Sequence, residues 1–174
     1  WYRVTTATAG TLTLSTTANS ITDGAMAVYT APACGGAFTL VTCDNNSGPG
    51  SMPEIVLACQ SAGTWYVRFW QAGGGTGTFN ICATLTPIPA NDDPCGATVL
   101  APNASCTYTS STTVGACDTD PPGDPGCGSY NGMDVWFRVT TPSYGSLSLT
   151  TAAGTITDGA MAIYSASACN GTFT

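Results

Sequence analysis

Histidine and lysine are absent from this chain, and its only positively charged side chains are Arg3, Arg68 and Arg138. Without His or Lys, the commonest general bases and the Schiff-base nucleophile are missing. The ten acidic residues offer few candidates for a paired-carboxylate site, so no catalysis is expected. The formal net charge of -7 excludes nucleic acid as a partner, because phosphate binding needs clustered Lys or Arg. No apolar run is long enough to cross a membrane as a helix, and no stretch carries the 3.6-residue period of an amphipathic helix. Charged residues make up only 7% of the chain. A surface of Thr, Ser, Gly and Ala suits a secreted protein in dilute surroundings or one packed into a solid assembly.

What the sequence does have is a copy of itself. Ile21-Thr-Asp-Gly-Ala-Met-Ala27 returns unchanged as Ile156-Thr-Asp-Gly-Ala-Met-Ala162, an offset of 156 − 21 = 135 residues. Extended without a gap, residues 1–39 align with 136–174, and 24 of the 39 positions are identical. A fixed period marks a modular array, so the chain reads as a window cut from a tandem repeat, with neither end a natural one. The expected organisation is the C-terminal part of one module over 1–88, a Pro/Asp linker over 89–94, and the N-terminal part of the next module over 95–174. The linker Pro87-Ile-Pro-Ala-Asn-Asp-Asp-Pro94 combines prolines that stiffen the chain with residues that favour turns.

Nine cysteines occur, and two of them, Cys34 and Cys169, are the same position in the two copies. One period therefore holds eight: Cys34, Cys43, Cys59, Cys82, Cys95, Cys106, Cys117 and Cys127. An even number with no His points to disulfides rather than zinc, and to an oxidising, extracellular setting. Many connectivities remain open. Local spacing favours Cys34 with Cys43, Cys59 with Cys82, Cys95 with Cys106 and Cys117 with Cys127.

Period-2 alternation predicts strands over 1–6, 11–17, 25–30, 38–42, 54–59, 64–71 and 78–85, with another opening at Met133–Thr140. The repeated Asp23-Gly24 and Asp158-Gly159 pairs are expected to supply the positive φ of a tight turn; their recurrence shows only that each module needs the turn. Short strands separated by turn residues predict an all-β, antiparallel, disulfide-stapled sandwich.

Asn91-Asp-Asp-Pro-Cys-Gly-Ala97, Asp134-Val-Trp-Phe-Arg-Val139, Ala162-Ile-Tyr164 before a Cys, Gly63-Thr-Trp-Tyr-Val-Arg-Phe69 and Gly77-Thr-Phe-Asn-Ile81 together resemble the jelly-roll modules repeated in large secreted proteins of Bacteroidota. Those modules are similar to pre-peptidase C-terminal domains and to carbohydrate-binding-module-like sandwiches. The resemblance implies export to the cell surface and a place in giant adhesins. It brings no catalytic residues, and it implies ligands that vary.

Three constellations remain. Asp118, Asp120 and Asp124 are close enough in sequence to share a Ca²⁺, or else form a solvated, disulfide-tethered loop; Asp92 and Asp93 offer a similar site at the module junction. On the strand 64–71, Tyr66, Arg68 and Trp70 share one face and Trp65, Val67 and Phe69 the other. If the second set is core, the first is an aromatic strip with a cation in it, suited to packing against a neighbouring module or to stacking a sugar. Asp134 and Arg138 flank Trp136 as a structural ion pair. Asn45, Asn103 and Asn170 each begin an Asn-x-Ser/Thr acceptor pattern. The leading expectation is a structural or adhesive repeat whose partners are neighbouring copies. The rival is a module that binds polysaccharide for an attached secreted enzyme.

Overall fold

The structure, a computed structural model, describes residues 1–120 and 122–174. It divides into two compact units, Trp1–Pro87 and Ile88–Thr174. The first unit holds seven strands: β1 (Tyr2–Thr6), β2 (Gly10–Ala18), β3 (Gly24–Thr30), β4 (Thr39–Asp44), β5 (Glu54–Gln60), β6 (Gly63–Gln71) and β7 (Phe79–Pro87). They form two antiparallel sheets, ordered β1-β6-β3-β4 and β5-β2-β7. Alternation decides which side chains turn inward. Leu12 and Leu14 of β2 meet Met26 and Val28 of β3, Ile55 and Leu57 of β5, and Trp65 and Val67 of β6 in one buried cluster. Each such side chain contributes about 1.5–3 kcal/mol of burial free energy. Thr16, buried on the same face of β2, donates its hydroxyl to the Pro53 carbonyl at 2.7 Å, which offsets the cost of removing the polar group from water.

Two local devices shape the unit. The β2–β5 register shifts between Gly10 and Leu12, where Cys59 takes φ 54°, the mark of a bulge. The repeated Asp-Gly pair does not work as expected, because Gly24 is absent from the positive-φ residues. Glycine is needed there for room: a Cβ would lie 2.5 Å from Phe69 Cζ.

The second unit has two further strands, β8 (Thr98–Leu100) and β9 (Phe137–Val139), paired in parallel. β9 is the counterpart of β1. The counterparts of β2 and β3 form no strands among the described residues. In the first unit β2 is bonded on both sides by β5 and β7, and β3 by β6 and β4. A strand without such neighbours leaves its backbone groups to water and gains little from its sequence. What does recur is local. The backbone pair Thr30↔Thr39 that opens the β3–β4 hairpin has its equivalent in Ser165 and Thr174, whose N–H groups donate to each other's carbonyls at 2.8 and 3.1 Å.

The cysteines depart from local pairing. Cys95 is bonded to Cys169, 74 residues on, and not to Cys106. Cys59 and Cys117 are in disulfide form, whereas Cys34, Cys43, Cys82, Cys106 and Cys127 are exposed thiols. Sheet order and strand register explain two of the failures. β2 lies between β5 and β7, with Cys82 opposite Ser15 and Cys59 at the bulge beside Thr11, so the two are two strand spacings apart across the sheet, about 9–10 Å, and further apart along it, beyond disulfide reach. Cys43 sits opposite Ala27, four residues into β4 from the Thr30↔Thr39 pair, while Cys34 lies in the connection beyond that pair; four strand residues span about 13 Å.

Residues 91 and 92, expected in the linker, are built into the second unit. Asn91 and Asp92 are buried. The Trp136 N–H donates to the Asn91 carbonyl at 2.7 Å, and Asn91 Nδ2 donates to the Trp136 carbonyl at 3.2 Å.

Candidate contact surface

The outer face of the four-stranded sheet gathers the largest aromatic group in the first unit. β6 runs in the middle, between β1 and β3. Its Trp65 and Val67 are buried, and its Arg68 and Trp70 are exposed. The register sets Ala25 opposite Trp70, Ala27 opposite Arg68 and Tyr29 opposite Tyr66. The two alanines are buried, a floor of small side chains beneath larger neighbours. Arg68 Cζ lies 5.5 Å from the Trp70 ring centroid and 5.9 Å from that of Trp1. A guanidinium between two indole faces is held by the ring quadrupoles, which are worth about 0.5–1 kcal/mol each at an exposed site.

Tyr66 continues the group toward the β3–β4 connection. Phe38 meets Tyr66 edge-on at 5.1 Å, and meets Trp1 and Tyr29 at 5.3 and 6.2 Å. Trp1 is 65% exposed and Trp70 41%, so two indoles offer their rings to solvent beside a cation. The sequence placed Tyr66, Arg68 and Trp70 on one face but gave no sign that Trp1, Tyr29 and Phe38 join them. Strand order brings them there, and no spacing along the chain encodes it.

Three of these aromatics have counterparts in the second copy, and their geometry returns. Trp1–Tyr29, Trp1–Phe38 and Tyr29–Phe38 are separated by 5.5, 5.3 and 6.2 Å; Trp136–Tyr164, Trp136–Phe173 and Tyr164–Phe173 are separated by 5.8, 5.4 and 6.1 Å. The interplanar angles follow, at 43°, 44° and 86° against 34°, 48° and 82°. The two triads differ in cover. Trp136 Nε1–H donates to Thr119 Oγ1 at 3.4 Å, Thr119 is buried, and its hydroxyl donates to the Asp92 carbonyl at 2.9 Å.

The acidic residues are engaged by nearby hydroxyl and backbone groups. The Tyr130 hydroxyl donates to Asp118 Oδ1 at 2.6 Å and lies 2.9 Å from Asp134 Oδ1. Burial, and then these bonds to carboxylates, push its pKa above the ordinary tyrosine range. Asp134, expected to face Arg138 beside Trp136, accepts here from Tyr130 and from the Thr119 N–H. Asp124 accepts from the Gly126 N–H at 2.8 Å. Among the described residues no three His, Cys, Asp or Glu are grouped to hold a metal ion; Pro121, inside the loop of Asp118, Asp120 and Asp124, lies outside the described residues.

Two carboxylates have shifted pKa values of opposite sign. Burial raises Asp92, helped by the charges of Asp93 and Asp134 and opposed by the Cys117 N–H at 2.6 Å. Burial alone would also raise Asp44, but bonds from Ser47, Glu54 and Asn45 outweigh it and hold Asp44 below the ordinary carboxylate value. Asp44 Oδ2 accepts from the N–H groups of Ser47 and Glu54 at 3.1 and 3.0 Å, tying the loop after β4 to the start of β5.

On the other sheet, a depression lined by Ser15, Thr17, Asn80, Ile81 and Cys82 contains no ionisable carboxylate or base. Among the described residues no helix is long and apolar enough to cross a membrane. Compared with known proteins, the chain matches no family model, no curated protein and no solved structure.

Proposed function

We propose that the chain is a structural or adhesive repeat of an extracellular or cell-surface fibre, and that its outer aromatic face packs against neighbouring copies. The observation that carries this reading is the aromatic triad, set up twice in one geometry at a period of 135 residues. A binding site for one small ligand has no need of repetition at this fidelity, whereas an array uses the same aromatic triad in each copy. The disulfides fit an oxidising setting outside the cell, and the scarcity of charge leaves apolar faces unshielded against association. In this reading the protein is not an enzyme. It is kin in architecture to the sandwich modules of large secreted Bacteroidota adhesins that its motifs resemble.

A second reading, a glycan-binding module appended to a secreted enzyme, draws on one observation. Two exposed indoles flank Arg68, and a sugar ring stacks on such faces. Replacing Tyr66 and Trp70 together by Ala separates the two. In the fibre reading the double variant forms shorter or more flexible filaments in electron micrographs, while the unfolding of the first unit is nearly unchanged. Normal filaments together with lost retention on immobilised polysaccharide would replace the fibre reading with the glycan one.

A further inference from the structure

Equivalent residues have opposite fates in the two copies. Leu12, Met26 and Val28 are 1%, 0% and 0% exposed, while their counterparts Leu147, Met161 and Ile163 are 40%, 50% and 70% exposed. Ile21 is buried, and Ile156, the same residue in the same heptapeptide, is exposed. In the first unit these side chains are covered by residues from 40–87: Ile55 and Leu57 from β5, Trp65 and Val67 from β6, with Ile81 and Leu85 of β7 at the edge. Among the described residues of the second unit, no segment plays that part.

We infer that the apolar side of residues 145–165 is a docking surface, and that its occupant is a second copy of the 40–87 segment. The chemistry of the occupant is read from the first unit, where the same surface is already seated on it. The segment brings inward-facing Ile55, Leu57, Trp65 and Val67 for the apolar contacts. It also brings the backbone of β5 and β7 to flank a strand over 145–153, and that of β4 and β6 to flank one over 159–165. One end of the surface is anchored by the Trp136, Tyr164 and Phe173 triad, by the Ser165–Thr174 pair and by the Cys95–Cys169 bridge. These hold the turn over 164–174 in place at the C-terminal end of the surface. A tighter binder than a loose apolar partner is expected, because it satisfies backbone and side chains together. The inference deepens the fibre reading, since copies that complete one another join by exchange of core strands, but it stands on the core residues and not on the aromatic face.

The test appends a second copy of residues 40–87 after Thr174 of the full chain. Methyl-labelled methionine is then read by NMR in the presence of a soluble paramagnetic agent. In the unextended chain the Met26 methyl is shielded and the Met161 methyl is relaxed by the agent. With the appended segment, Met161 is expected to lose that relaxation and match Met26. An appended segment carrying Leu57→Asp and Val67→Asp is expected to leave Met161 exposed. If Met161 stays exposed with the unaltered segment, or is shielded equally by both, the docking surface is not what we infer. Filaments formed by a chain that fails this test would leave the fibre reading standing, and completed cores without filaments would do the reverse.

Discussion

At the scale of single residues, the two copies act as controls for each other. Gly24→Ala forces a Cβ against the Phe69 ring and is expected to destabilise the first unit by about 1–3 kcal/mol through overpacking. Gly159→Ala, the same change in the same heptapeptide, meets nothing nearer than Ile156 Cγ2 at 3.6 Å and is expected to stay within about 0.5 kcal/mol; urea unfolding of the two variants checks the contrast. The carboxylates give a second pair. Asp44 has a lowered pKa, so its contribution to stability is present above the unfolded carboxylate value and is lost as pH falls through the folded one. Asp92 has a raised pKa, so its contribution is complete below the unfolded value and is lost as pH rises through the folded one. Asp44→Asn is therefore expected to lower the melting temperature of the first unit at neutral pH and to leave it unchanged in acid. Asp92→Asn, which keeps an oxygen for the Cys117 N–H, is expected to stabilise the second unit at neutral pH and to lose that advantage in acid. Melting curves between about pH 2 and pH 7 span both titrations.

At the scale of elements, what could be read from the sequence was whatever is encoded within one strand. Thr11–Thr17 and Thr64–Gln71 alternate so cleanly that strand position and the division into two faces followed directly, and the structure turns Leu12 and Leu14 of β2 and Trp65 and Val67 of β6 inward. Relations between strands were not legible. The order β5-β2-β7, which separates Cys59 from Cys82, and the register that carries Tyr29 to Tyr66 depend on contacts across the chain that no local spacing records. The Asp-Gly pair misled for a related reason, since the glycine answers to a ring on another strand and not to its own turn. Strand pairing also decides energetics. Leu12→Ala, in β2 between two partners, is expected to cost about 2–5 kcal/mol, whereas Leu147→Ala is expected to change stability by less than about 0.5 kcal/mol. Denaturation followed at the first unit and at the second separates the two.

At the scale of the whole molecule, one repeated sequence is present in two states of completeness. Residues 1–39 are folded into a closed sandwich by residues 40–87, while 136–174 keep the short β9 pairing with β8, the aromatic triad, the hairpin closure and the disulfide. A repeat whose copies need segments like one another's to bury their cores is suited to a continuous array, in which each unit contacts its neighbours. The central claim is that the repeated sequence is strand in one unit and unpaired in the other for want of partners. Amide hydrogen exchange on the unaltered chain, at a dilution where it is monomeric, tests this most directly. Amides of Gly10–Ala18 and Gly24–Thr30 are expected to exchange about a hundredfold or more slowly than those of 145–153 and 159–165. Equal protection of the two copies would contradict it.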